Sequence, residues 1–84
     1  MSPKVQELIE QMRRELPAAF AFSAVGRLTG EAVQPGTLAN QKSRGELPEG
    51  VVFRAGRKNL IARDPFLDWF ARRLQVTEVK RSAL

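Results

Sequence analysis

Residues 35–44 read Pro35-Gly36-Thr37-Leu38-Ala39-Asn40-Gln41-Lys42-Ser43-Arg44, and Gly45 follows. Proline suits the first position of a helix, because its missing N–H would have no partner there, and glycine just past the last turn is a common stop. The stretch therefore predicts a short helix. Only Leu38 is a sizeable apolar residue within it, so Leu38 has to face inward. At about 100° per residue, Gly36, Thr37, Asn40, Ser43 and Arg44 then point away from the core. Gln41 falls at one border of that face. Lys42 lies nearer the buried side and has to extend its stem outward to reach a phosphate.

Upstream, Ser23 precedes Ala24, Val25, Arg27 and Leu28. This predicts an N-cap and a short helix that ends near Gly30. Two short helices about a tight turn result. Downstream, Val51, Val52 and Phe53 form a β-prone run. Ala55-Gly56-Arg57-Lys58 and Leu60-Ile61 follow it, which predicts a hairpin with a basic tip. Asp64-Pro65 marks a helix start, and Phe66, Trp69, Phe70 and Leu74 make an apolar stripe at helical spacing. At the other end Val5, Leu8, Ile9, Met12 and Leu16 make a second stripe. Residues 3–16 thus read as an amphipathic helix, capped by Ser2, opened by Pro3 and stopped by Pro17. It should pack on the domain or on a partner. The expected organisation is an N-terminal helix and linker over 1–19, one domain over 20–75 and a frayed tail over 76–84.

Composition limits what such a chain does. With 43% hydrophobic and 27% charged residues it falls in the globular range, and 84 residues suffice for one domain with a thin core. Cys and His are both absent, which removes disulfides, zinc sites and every nucleophile that relies on a histidine. No glycine-rich phosphate loop follows a strand, and Glu46 and Glu49 are poorly framed as a catalytic pair. The expectation is a non-enzyme without metal or cofactor. No apolar run approaches the about 18 residues that span a bilayer, and no signal peptide is visible, so the expected location is the cytoplasm.

Fourteen Lys and Arg against nine Asp and Glu give a net charge of +5, which favours a polyanionic partner. The excess is local. Between positions 42 and 63 stand Lys42, Arg44, Arg54, Arg57, Lys58 and Arg63, against only Glu46 and Glu49. Thr37, Asn40, Gln41 and Arg44 supply the donor and acceptor types that read base edges in a major groove. Gly36 leaves the helix N-terminus uncluttered for a backbone phosphate. Arg54, Arg57 and Lys58 near the hairpin turn would straddle a neighbouring phosphate line or minor groove. Taken alone, Thr37, Asn40 and Gln41 also suit a solvated helix face, and a charged hairpin also protects a sheet edge from aggregation. The six aromatics, Phe20, Phe22, Phe53, Phe66, Trp69 and Phe70, read mainly as core and not as a stacking platform for single-stranded bases.

From Phe22 to Phe70 the order of these elements resembles the excisionase and AlpA-like branch of the MerR-like winged helix-turn-helix superfamily. The carrying motifs are Thr37-Leu38, Gly45 with Glu46-Leu47-Pro48, Gly56-Arg57, and Asp64-Pro65-Phe66-Leu67-Asp68-Trp69. The resemblance implies a mainly α fold with a small β-hairpin wing, here preceded by the extra N-terminal helix. It also implies base contacts from the helix 35–44 (Gly36, Thr37, Asn40, Gln41, Lys42, Ser43, Arg44) and backbone contacts from the wing (Arg54, Arg57, Lys58). The implied partner is double-stranded DNA. Members bind side by side and bend DNA to steer an integrase towards excision, or regulate transcription. Gln34 stands where such proteins often have a Ser or Thr cap, and Gln41 where an apolar residue often fills the core. An adaptor that docks the stripe of residues 5–16 into a partner groove is the alternative from another class.

Overall fold

The computed structural model describes residues 2–77, so most of the expected tail 76–84 lies outside the described residues. Helix α1 runs Pro3–Glu15, with Ser2 Oγ accepting from the Lys4 N–H at 3.3 Å and Leu16 as its C-cap. Strand β1 (Ala19–Ala21) leads without a break into a 3₁₀ turn, Phe22–Ala24, and then into helix α2, Val25–Leu28. Helix α3 is Pro35–Ser43, strands β2 and β3 are Val52–Ala55 and Lys58–Ala62, and helix α4 is Arg63–Ala71.

The sheet is antiparallel in the order β1-β3-β2, so the expected hairpin gains a third strand, which straddles the expected boundary between linker and domain at residues 19 and 20. Phe20 pairs with Ile61 and Ile61 with Val52, while Ala21 pairs with Leu60 and Leu60 with Phe53. Alternation along each strand sends these two rows to opposite faces. The first row meets the helices. Phe20 and Ile61 are buried there, whereas Phe53 in the second row is 56% exposed. Most of the aromatics are core as expected, and Phe53 departs because its register assigns it to the outer face. At the hairpin tip Ala55 pairs with Lys58 and leaves a two-residue loop, Gly56-Arg57. Gly56 has φ +63, the left-handed geometry that the first loop residue of a II′-class hairpin requires.

One core joins every helix to the inner face of the sheet. Val25, Leu38, Val51, Ile61, Phe66 and Leu67 are fully buried, and Val5, Ile9 and Leu16 of the N-terminal segment belong to the same cluster. Phe66 is the hub, edge-on to Phe20 at 5.8 Å between ring centroids and stacked on Phe70 at 5.7 Å. Leu67, left out of the expected stripe, is buried because both sides of this part of α4 are covered. Leu74 lies beyond the helix and still packs against the core.

Two helix starts differ from expectation. Ser23 sits inside the 3₁₀ turn and caps nothing, because the chain leaves β1 already turning and Ala21 takes the flanking position. Helix α4 begins at Arg63, whose N–H donates to Ala18 O at 2.9 Å, and Asp64 makes no cap bond to the backbone. Pro65 in that first turn costs no hydrogen bond, since N–H groups there lack intrahelical partners.

Helix α1 is docked on α4 by more than its apolar stripe. Arg13 reaches Asp64 at 2.8 Å and Asp68 at 3.9 Å, and Arg63 bonds both Asp64 Oδ1 at 2.9 Å and Leu16 O at 3.1 Å. These donors hold the Asp64 carboxyl below the usual carboxylate range, the Arg63 hydrogen bond most strongly.

Candidate nucleic-acid interface

The α2–α3 connection sets the attitude of α3. Gly30 and Glu31 both take positive φ, +64 and +68, and the Glu31 N–H donates to Gly26 O at 2.6 Å. Thr29 ties the turn from within, donating through Oγ1 to Val25 O at 2.7 Å and accepting the Val33 N–H at 3.2 Å. Gly26 is buried beneath it, where an added Cβ would come within 3.0 Å of Gln34 Oε1 and 3.1 Å of Glu31 Oε2. Gln34 occupies the N-cap of α3 but makes no cap bond, and its amide nitrogen donates to Glu31 Oε2 at 2.8 Å. Among the described residues the N-terminal N–H groups of α3 have no side-chain acceptor, and nothing lies within 4 Å of a Cβ at Gly36.

At the other end Gly45, with φ +70, closes the helix. The Glu46 N–H donates to Gln41 O at 2.9 Å and the Gly45 N–H to Lys42 O at 3.1 Å, the paired bonds of a Schellman stop. Between these ends Leu38 is fully buried and turns Gly36, Thr37, Asn40, Ser43 and Arg44 outward, all exposed. Lys42, expected nearer the buried side, is exposed too. It borders a shallow groove with Leu47, Pro48, Glu49, Gly50 and Val52, at the root of β2. Arg44 approaches Glu46 at 3.9 Å, with both side chains more than half exposed, a pairing weak enough for a ligand to displace.

Gln41 has a different environment from its neighbours. It is half-buried, and its Oε1 accepts from Arg73 Nη2 at 2.7 Å, while the Arg73 guanidinium lies 4.4 Å over the Trp69 ring. Sequence reading did not single out Arg73. The available signal was its position four residues after Trp69, one turn along, where a cation meets an aromatic face.

On the hairpin Arg54, Arg57 and Lys58 are all exposed, and among the described residues none of them forms an ion pair. The Arg54 Nε–H donates to Gly56 O at 3.0 Å, which holds that side chain against the tip. Arg63, counted in the same basic run, turns instead to Leu16 and Asp64. The local cationic set is therefore Lys42, Arg44, Arg54, Arg57 and Lys58. Among the described residues no helix is long and apolar enough to cross a membrane.

Compared with protein families, with curated proteins and with solved structures, the chain matches none.

Proposed function

We propose that the protein binds double-stranded DNA sequence-specifically as a winged helix-turn-helix, with α2 and α3 as the helix pair and β2–β3 as the wing. The observation that carries this reading is the polar face of α3, turned outward by Leu38, together with a hairpin whose root borders Lys42 and whose cations have no acidic partner among the described residues. A helix of this size fits a major groove. There Asn40 pairs with adenine, Arg44 with guanine, and the Thr37 methyl with thymine. The open turn at Gly36 admits a phosphate to the helix N-terminus. Lys42, Arg54, Arg57 and Lys58 neutralise backbone charge, and Ser43 adds a hydroxyl at the edge of the contact.

Four to six phosphate contacts predict that log K falls with log salt at a slope of roughly −4 to −5. Titration of a selected duplex at several salt concentrations measures this, and an affinity indifferent to salt would sink the proposal. Asn40→Ala should cost about 1 to 3 kcal/mol on the selected site and almost nothing on random duplex. Equal losses on both would reduce Asn40 to a positioning contact.

Within this class the leading reading is an excision factor that binds in several copies, bends its site and engages an integrase, and the alternative is a transcriptional regulator. Footprinting across the neighbouring DNA separates the two. Tandem protection at an element boundary supports the excision factor, and a single protected operator over a promoter supports the regulator. The adaptor reading needs the stripe of residues 5–16, and burial of Val5, Ile9 and Leu16 in the chain's own core speaks against it.

A further inference from the structure

We propose that Arg73 is a second phosphate-binding arm, on the flank of α3 opposite the wing, and that Gln41 serves to hold it there and does not read a base. The proposal rests on the duplex-DNA reading above.

Gln41 and Lys42 leave α3 on the two sides of the buried Leu38. Lys42 faces the root of β2, and Gln41 faces the residues that follow α4. A helix lying in the major groove, about 12 Å wide, has a phosphate line on each side. Lys42 and the wing serve one line. Arg73 is the cation that Gln41 brings to the other.

A guanidinium carries five N–H donors in a planar fork and accepts nothing. Gln41 Oε1 takes one donor at 2.7 Å, and Trp69, itself 7% exposed, supports one face of the plane at 4.4 Å. Arg73 is an exposed residue, and among the described residues no carboxylate lies within ion-pair distance of it. The arm is thus held in place by neutral partners, with no acidic partner for its charge among the described residues, which is the state a phosphate oxygen selects. For Gln41 the same bond has the opposite meaning. Because Arg73 only donates, the atom facing it is the amide oxygen, and a bidentate pairing with adenine needs that oxygen as its acceptor. Half-buried and with its oxygen committed, Gln41 is a positioning residue.

The test titrates the full chain and four variants, Arg73→Met, Arg73→Lys, Gln41→Ala and the double variant Gln41→Ala/Arg73→Met, against a selected duplex and a scrambled duplex of equal length. Salt is raised about fourfold across the series, and thermal melts confirm that each variant is folded. Arg73→Met keeps an apolar stem over Trp69 and removes the charge. It should lower the steepness of the salt dependence by about 0.9 on both duplexes, so that the wild-type advantage shrinks about threefold across the series. Arg73→Lys should keep the wild-type slope with weaker binding. Gln41→Ala should weaken both duplexes by the same factor, leave base preferences unchanged, and add nothing in the Arg73→Met background. An unchanged slope in Arg73→Met overturns the arm. A Gln41→Ala loss confined to the selected duplex, with altered preference at one base pair, restores Gln41 as a base reader and overturns its holding role. Absence of any duplex binding by the wild type overturns the DNA reading and this inference together.

Discussion

Helices α1 and α3 open with the same device, a proline in the first turn, and then diverge completely in what their polar residues do. In α1 the apolar stripe buries Val5 and Ile9, and Arg13 is drawn into contact with Asp64 and Asp68 of α4. In α3 one residue, Leu38, is buried, and among the described residues its polar side chains meet little besides the distant Arg44–Glu46 contact and the Gln41–Arg73 bond. The first helix turns charge inward to fasten itself to the fold. The second is held by a single anchor, its two end motifs and one flank, and leaves its polar face unoccupied. A helix that contributes so little apolar area to a thin core, yet is stopped and oriented so definitely, is what the proposed DNA contact requires.

The strongest way to break this comparison is to remove the anchor of each helix. Leu38→Ala and Ile9→Ala should each destabilise the fold by about 2 to 5 kcal/mol in urea denaturation. Their effects on duplex binding should separate. At temperatures where both variants remain folded, Ile9→Ala keeps wild-type affinity and Leu38→Ala does not. Equal affinity losses would mean that α1 shapes the interface as directly as α3.

A smaller effect is expected at the stop of α3. Gly45 sits at φ +70, so Gly45→Ala forces a side chain into the left-handed region at a cost of about 1 to 2 kcal/mol. Hydrogen exchange should show the loss first as fraying of the last turn of α3, with α1 unaffected. Fraying of both helices together would show that they unfold as one unit.

The smallest effect concerns the fastening of α1. The folded Asp64 carboxyl titrates below its ordinary value, through the Arg63 hydrogen bond first and Arg13 next. A depressed carboxylate pKa contributes stability that is present above the unfolded value, about 3.9, and is lost as pH falls through the folded value. Asp64→Asn should therefore lower stability slightly near neutral pH and converge with wild type once pH falls below the folded value, which flattens the acid limb in that window; the effect is small because Asp64 itself is largely exposed. An unaltered acid limb would remove Asp64 from the fastening.

Much of the local architecture was legible because each signal was short-range. Pro3 and Pro35 open helices, Ser2 caps one, Gly45 stops one, Gly56 lies in the hairpin turn, and Leu38 faces inward. Strand β1 was not legible. Three residues, Ala19 to Ala21, are too few to display alternation, and the segment is a strand only because β3 offers it an edge. Ser23 misled for a related reason, since a good capping residue has no work to do where the chain arrives already turning. Phe20 and Phe53 look alike as aromatics in apolar runs, and pairing to Ile61 or to Leu60 decided that one is core and the other is exposed.

The candidate site divides along the same line. The outward set Gly36, Thr37, Asn40, Ser43 and Arg44 follows from one apolar residue and helical periodicity, so the chain alone determined it. The division of the remaining charges was a tertiary matter. Arg63 belongs to the basic run in sequence yet turns to Leu16 and Asp64, whereas Arg73, outside that run, lies beside α3 on Gln41 and Trp69. Periodicity fixes which side of its own helix a residue occupies. Which neighbour waits on that side depends on how the helices and strands pack, and no spacing within a single element contains that information.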